Sequence, residues 1–253
     1  MDTDGQRRRT RHGLARVLSK RGLCSRTEGA RWILAGRVTV HGRVVRDPEF
    51  PTADDAVIRI DGDSSEAVRP LHLALNKPRG LVTTASDERG RDTVYRCFDG
   101  AGLPWLAPVG RLDKASEGLL LFSNDPQWAA GITDPVHGPG KTYHVQVDTL
   151  PDEALLASLV AGIDCDDGRL RAGEARLLRS GMRNAWLEIV LHEGRNRQIR
   201  RLLAAFDIGV LRLVRVAIGE LALGDLPKGA WRELRDDEVR ALAAGWQREA
   251  AKG

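Results

Sequence analysis

Cysteine is scarce in this chain of 253 residues: Cys24, Cys97 and Cys165 stand far apart, with no C-x-x-C pair and no histidines beside them. An odd number of scattered thiols excludes a disulfide framework and a Cys/His structural metal site. It points to a reducing compartment, the cytoplasm. Aromatic residues are few, and only two are tyrosines, so each tyrosine is read individually. No apolar run approaches the roughly 18 residues of a membrane span, and a membrane is not an expected partner. The opening MDTDGQRRRTRHG carries charge with no apolar segment behind it, unlike a secretion signal. G-x-G-x-x-G and Walker loops are missing too, so nothing points to a nucleotide cofactor.

What is present is a chain long enough to bury a core without metal or disulfides, as one large domain or as a catalytic domain with a small appendage. Nothing in it demands more than a monomer. The formal net charge is +4, unevenly placed. Residues 1–62 hold 13 Lys+Arg against 8 Asp+Glu, which leaves 26 against 27 in the remaining 191. A basic end beside a nearly neutral body suggests a nucleic-acid partner held by its phosphates. Arg7-Arg8-Arg9 alone fits that reading and a solvated, disordered end equally, and residues 1–11 are expected to be disordered.

From Gly13 onward, Leu14, Val17 and Leu18 recur at helical spacing and Gly22 ends the helix. Ser25-Arg26-Thr27-Glu28 has the form of a capping box that opens a second helix to about Ala35, with Ala30, Ile33 and Leu34 facing inward. Val38–Val45 reads as strand, glycine turn, strand, and a further strand covers Val57–Ile60. Arg16, Lys20, Arg21, Arg26, Arg31 and Arg37 are spread over this unit of residues 12–62. The polar stretch 63–69 is read as a linker.

The remaining body, residues 70–247, opens with the strand His72–Asn76 and the turn Lys77-Pro78-Arg79-Gly80, whose cations can face a phosphate. A charged loop over Asp87–Asp92 and a short helix near Val94–Phe98 precede GRLDKASEGLLLFSND, Gly110 to Asp125. There Asp113 lies between Arg111 and a Lys-x-Ser-Glu-Gly turn that runs into Leu119–Phe122, a reactive loop mounted on a buried strand. In isolation, Asp113 and Arg111 read as a turn residue and its surface ion-pair partner. Asp113 with Glu117 also offers paired carboxylates, as in a hydrolase. Pro126–Ile132 is a short helix. Tyr143 sits in the alternating strand Tyr143–Val147, and on its own it reads as an ordinary strand tyrosine. Helix Pro151–Ala161 carries Leu155, Leu156, Leu159 and Val160, and strands follow near Glu174–Leu178 and Trp186–Leu191. Next comes the arginine-rich EGRNRQIRRL, Glu193 to Leu202, then a strand over Val210–Val216. A final helix from about Asp236 carries Val239, Leu242 and Trp246 inward.

The Gly110–Asp125 run closely resembles the central motif of the pseudouridine synthases, in the RsuA/RluB branch that modifies bacterial ribosomal RNA. The N-K-P-x-G turn, K-x-Y at Lys141–Tyr143 and the EGRNRQIRR segment match the same family. The first unit resembles the alpha-L RNA-binding module that commonly precedes its catalytic domain. The resemblance implies an α+β fold with a mixed, mainly antiparallel sheet, and isomerisation of a specific uridine in ribosomal RNA, the large-subunit RNA somewhat preferred. It also implies no cofactor and no metal, since the reaction conserves atoms. It assigns catalysis to Asp113, places Tyr143 against the target base, and pairs Arg200 with Asp113. RNA contacts fall to Arg16, Lys20, Arg21, Arg26, Arg31, Arg37, Lys77, Arg111, Arg195, Arg197 and Arg201. The chain departs from the family at Asp134-Pro135-Val136, where relatives carry His-Pro and a basic residue. A non-catalytic RNA-binding assembly factor on the same scaffold is the alternative, against which Asp113, Tyr143 and Arg200 are all present.

Overall fold

A computed structural model describes residues 11–64, 69–84, 89–165 and 168–250, with the side chains of 63–64 and 245–250 left aside. The basic tail before Arg11, most of the linker, part of the Asp87–Asp92 loop and the packing of Trp246 lie outside the described residues. Two compact units result: residues to Leu71 with Gly102–Ala107 and Ser123–Pro126, and the rest of the chain.

In the first unit β1 (Arg11–Gly13) pairs with β4 (Pro51–Ala53), so Arg11 begins a strand where a disordered tail was expected. Helix α1 spans Leu14–Lys20, and Gly22 follows with φ +71°, a conformation glycine adopts without strain. Helix α2 (Arg26–Leu34) starts where the capping box predicts, the Ser25 side chain accepting from Glu28 N at 3.0 Å. Strands β2 (Val38–Val40) and β3 (Arg43–Val44) are joined by His41-Gly42, both at positive φ, as a two-residue hairpin turn requires. Strands β5 (Ile58–Ile60) and β6 (Asp63–Ser64) complete that sheet in the order β3-β2-β5-β6. Leu14, Val17, Leu18, Ile33, Val38 and Ile58 form the core. Leu34, expected inward, is exposed because it lies in the last helical turn, away from Ile33.

The second unit is built on a nine-stranded sheet with main order β13-β14-β10-β15-β9-β7-β17. Its strands are β7 (His72–Lys77), β8 (Ala107–Val109), β9 (Glu117–Ser123), β10 (Lys141–Val147), β13 (Glu174–Ser180), β14 (Ala185–Leu191), β15 (Val210–Ile218), β16 (Leu221–Ala222) and β17 (Trp231–Glu233). Strands β11 (Ile163–Cys165) and β12 (Gly168–Leu170) form a separate hairpin. The pairs β10·β14, β10·β15, β13·β14 and β7·β17 are antiparallel, while β9 and β15 run parallel. The fold is therefore α+β with the expected mixed, mainly antiparallel sheet. Strand β9 is buried along its whole length, as its unbroken apolar run predicts. Strand β14 alternates, with Ala185, Leu187, Ile189 and Leu191 inside.

Helices α4 (Glu153–Ala161) and α5 (Gln198–Ala204) belong to this unit, and Leu159, Leu202 and Leu203 from them join Val145, Leu187 and Ile189 in one core cluster. Helices α3 (Pro126–Thr133) and α6 (Asp236–Ala250) contribute Trp128, Ile132 and Leu242 to a second cluster with Leu119, Leu121 and Ile218. Asp152 caps α4 by accepting from Leu155 N at 2.8 Å, whereas Val160, expected in the core, is exposed on the outer side of that helix. Strands β8, β11, β12, β16 and β17 were not legible in the periodicity; each has two or three residues, too few for alternation to show.

Candidate active site

The loop from Gly110 to Ser116 is held at Leu112, Asp113, Lys114 and Ser116. Thr83 Oγ1 donates to Leu112 O at 2.7 Å and receives Leu112 N at 3.3 Å. Gly80 N donates to Lys114 O at 2.7 Å, and Ser116 N to Asp113 O at 3.0 Å. Lys77 is the main clamp: its Nζ donates to Asp113 O (3.1 Å), Ser116 O (2.8 Å) and Pro78 O (3.1 Å). This corrects the expectation that Lys77 meets RNA. Its side chain is wholly buried, and its ammonium is spent on three loop carbonyls. Burial pushes its pKa down to about 8, opposed by the negative charges of Asp113 and Glu117.

With its backbone fixed, Asp113 keeps a side chain 32% exposed, on a cleft of about 190 Å³. That size suits one heterocyclic base. Arg197 Nη1 lies 3.5 Å from Asp113 Oδ2, long enough that it orients the carboxylate more by charge than by a directed hydrogen bond. The ion pair was expected from Arg200. Arg197 makes it because it precedes the first turn of α5 in a left-handed conformation, φ +49°, while Arg200 sits inside the helix with Nη1 3.4 Å from Val210 O. Arg200 still feels the site. Burial lowers its pKa, the charge of Arg197 adds to this, and Asp113 opposes it.

Tyr143 lines the cleft from β10, in register with Arg215 of β15 on one side and Ile189 of β14 on the other. Leu213, Ile199 and Ile132 supply apolar wall, and Lys141, Arg195 and Arg111 supply cations. Arg215 was missed. It is 5% exposed, its Nε donates to Leu119 O at 2.7 Å, and its Nη2 is buried without a hydrogen-bond partner. The available signal was period two in Val210–Val216, which puts Arg215 on the same face as Leu213. Ser116, also missed, is 1% exposed and its Oγ is likewise unpartnered.

Glu117 does not pair with Asp113. It is buried at the start of β9, where Arg212 holds both its oxygens at 3.1 Å and Lys228 adds a third contact. Burial alone would raise its pKa, but the hydrogen bonds from Arg212 and Lys228 hold it below the ordinary value. A general acid needs the opposite shift, so the paired-carboxylate hydrolase loses its second carboxylate. Among the described residues no group of three or more His, Cys, Asp or Glu side chains could hold a metal ion.

Comparison with known proteins decides the family. The RNA pseudouridylate synthase family matches residues 72–205. A ribosomal large subunit pseudouridine synthase B of Bacillus subtilis is 34% identical over 234 residues, covering 91% of this chain and 95% of its own. The chain belongs to the RNA pseudouridylate synthase family. An uncharacterized RNA pseudouridine synthase of Mycobacterium tuberculosis is 40% identical over 235 residues, covering 90% of this chain and 92% of its own. A crystal structure of a pseudouridylate synthase superposes with a TM-score of 0.64 at 27% identity, over 91% of this chain and 99% of that one. Residues 13–57 match the S4 domain, which identifies the helix, helix and sheet unit at the front of this synthase.

The S4 cations differ in availability. Arg16 and Arg26 are exposed. Lys20 is paired with Asp54, Arg31 with Glu28 at 3.4 Å, and Arg37 with Asp61 while stacking on Trp32. Arg21 is structural, donating to the carbonyls of Asp54 and Ala56, which corrects its expected place on RNA. In the catalytic unit Arg195 is paired with Glu193 at 3.1 Å and Arg201 is half-buried in α5. The departure at residues 134–136 is a turn in which the Asp134 side chain accepts from Val136 N and His137 N, at 2.8 and 2.7 Å. Those two backbone N–H groups hold the Asp134 carboxyl below its usual range.

Proposed function

We propose that this chain converts a specific uridine of ribosomal RNA, in the large-subunit RNA by preference, to pseudouridine, with Asp113 as the reacting carboxylate. The observation that carries the reading is the contrast within one loop: a backbone pinned from Leu112 to Ser116 and an Asp113 carboxylate left open to the cleft. That is the preorganisation a reacting group needs. The large-subunit preference rests on the name of the Bacillus subtilis relative.

The isomerisation breaks the bond from ribose C1′ to base N1, turns the base, and joins C5 to C1′ with loss of the C5 proton and gain of one at N1. No electrons are gained or lost, and the reading invokes no cofactor. In this reading Asp113 attacks C1′, adds to C6 of the base, or takes the C2′ proton; each use needs an oriented carboxylate, and the nearby Arg197 supports that orientation. Arg200 adds positive charge behind the cleft wall, near enough to Asp113 for their charges to interact. The target base must leave its stack, at a cost of a few kcal/mol, which stacking on Tyr143 offsets. Arg111, Arg195 and Arg201 with Arg16, Lys20, Arg26, Arg31 and Arg37 hold phosphates. A basic tail to residue 11, an RNA-binding domain over 12–62, a linker over 63–69 and a catalytic domain over 70–247, acting in the cytoplasm as a monomer, complete the reading.

The test is tritium release from ribosomal RNA labelled with [5-³H]uridine in a strain lacking the gene. Purified wild-type chain is expected to release tritium from the large-subunit RNA. Release from neither subunit's RNA, naked or in ribosomal particles, contradicts the reading.

A further inference from the structure

The isomerisation proposed above generates a charge that Asp113 and Tyr143 do not meet. When the N1–C1′ bond breaks heterolytically, its electron pair stays with the base, as a uracil anion whose charge spreads over N1 and the two carbonyl oxygens. Among the described cations that line this cleft, Arg215 is the one with a buried N–H left without an acceptor. A guanidinium cannot shed its proton to escape burial, and a buried N–H without an acceptor is costly. Yet Arg215 is 95% buried in β15 with Nη2 unpartnered, while its Nε–H to Leu119 O holds the plane in place. In register it stands directly opposite Tyr143, the residue placed against the base. On its other side it stands opposite Gly118, which brings no side chain to shield it. Ser116 Oγ, buried and unpartnered, lines the same cleft. Lys141, a second cation on this wall, lies near enough to Arg215 that their like charges add to the effect of burial in lowering its pKa.

We infer that Arg215 is a further catalytic residue, whose Nη2 donates to a carbonyl oxygen of the target base and stabilises the uracil anion while it is detached from the ribose. Ser116 Oγ completes the polar edge against which the base turns. The balance is closed: the N1–C1′ pair goes to the base, and C1′ is satisfied by the Asp113 carboxylate or by loss of its C2′ proton to Asp113. C5 then attacks C1′, which frees the Asp113 carboxylate or, in the other route, lets C2′ take its proton back from Asp113; C5 gives up its proton and N1 takes one up. Arg215 itself transfers none. The inference rests on the synthase reading, and its test separates the two.

Single-turnover tritium release is measured for full-length wild type, Arg215→Gln and Arg215→Lys, beside filter retention of the same RNA. Removing one fixed donor from a developing anion lowers rates by about 100-fold or more. Arg215→Gln is expected to lose about that much rate while RNA retention changes by less than about 3-fold. The discriminating arm uses a fragment spanning the modified nucleotide with 5-fluorouridine there; C5 then carries no proton to release, so the single-turnover loss of 5-fluorouridine is followed by nuclease digestion and chromatography. 5-Fluorouracil departs as a more stable anion, so the deficit of Arg215→Gln should shrink roughly 10-fold on it; a residue that only props the sheet would show equal deficits on both RNAs. If the glutamine variant does not fold, Arg215→Lys carries the same comparison. Active wild type with equal deficits, or with Arg215→Gln within about 3-fold of it, overturns this inference alone. A silent wild type overturns the synthase reading with it.

Discussion

Lys77 carries a full side chain at 0% exposure and divides its ammonium among the carbonyls of Pro78, Asp113 and Ser116. Replacing it by methionine keeps much of the volume and leaves those carbonyls without their donor, a loss of about 1–3 kcal/mol. Because the Asp113 loop then loosens, activity should fall at least about 10-fold, with RNA affinity little changed. The pH dependence has a definite sign. The folded-state pKa is about 8 against an ordinary 10.5, so above pH 8 the unfolded chain binds the extra proton and stability rises with pH through that window. Melts at pH 7.5 and 9.5 should show a wild-type gain over Lys77→Met at the higher pH; a gap that narrows contradicts the assignment. At this scale the sequence was legible in part. The motifs singled out Asp113 and Tyr143, which line one cleft. A Lys-Pro-x-Gly turn does not tell whether its lysine faces solvent or its own loop, and in EGRNRQIRR only the start of the helix decides that Arg197, and not Arg200, reaches Asp113.

The decisive element contact is the parallel pairing of β9 with β15. Gly118 has φ +100°, and a Cβ there would stand 2.2 Å from Arg215 O. Gly118 is therefore required twice, by its conformation and by the approach of the neighbouring strand. Gly118→Ala should cost at least about 2 kcal/mol in chemical denaturation, from strain plus displacement of β15. It should impair activity beyond the stability loss, since Asp113 and Arg215 flank this contact. A variant as stable as wild type would contradict the pairing. The burial of β9 was readable from Leu119–Phe122, and the helix starts at Ser25 and Asp152 follow ordinary capping chemistry. The partner of Gly118 was not readable, because β15 is about a hundred residues further along and nothing local encodes that register.

Over the whole molecule, positive charge collects in the S4 domain while the synthase domain is nearly neutral. Pairing sorts those cations. Arg16 and Arg26 stand in water, whereas Lys20 and Arg37 are engaged with Asp54 and Asp61. Arg16→Glu and Arg26→Glu should each weaken ribosomal RNA binding several-fold and flatten the dependence of log K on log salt by about one unit, leaving the single-turnover rate at saturating enzyme unchanged. Filter binding across a salt series checks this; an unchanged slope would remove these residues from the RNA surface.

The most direct test of Asp113 on this scaffold is a map of pseudouridine in both ribosomal RNAs by carbodiimide-blocked primer extension. A strain deleted for the gene is complemented with wild type or with Asp113→Asn. The account predicts one stop, in the large-subunit RNA, lost on deletion and restored by wild type alone. Restoration by Asp113→Asn, or a map that deletion leaves unchanged while the purified chain modifies neither RNA, would contradict it.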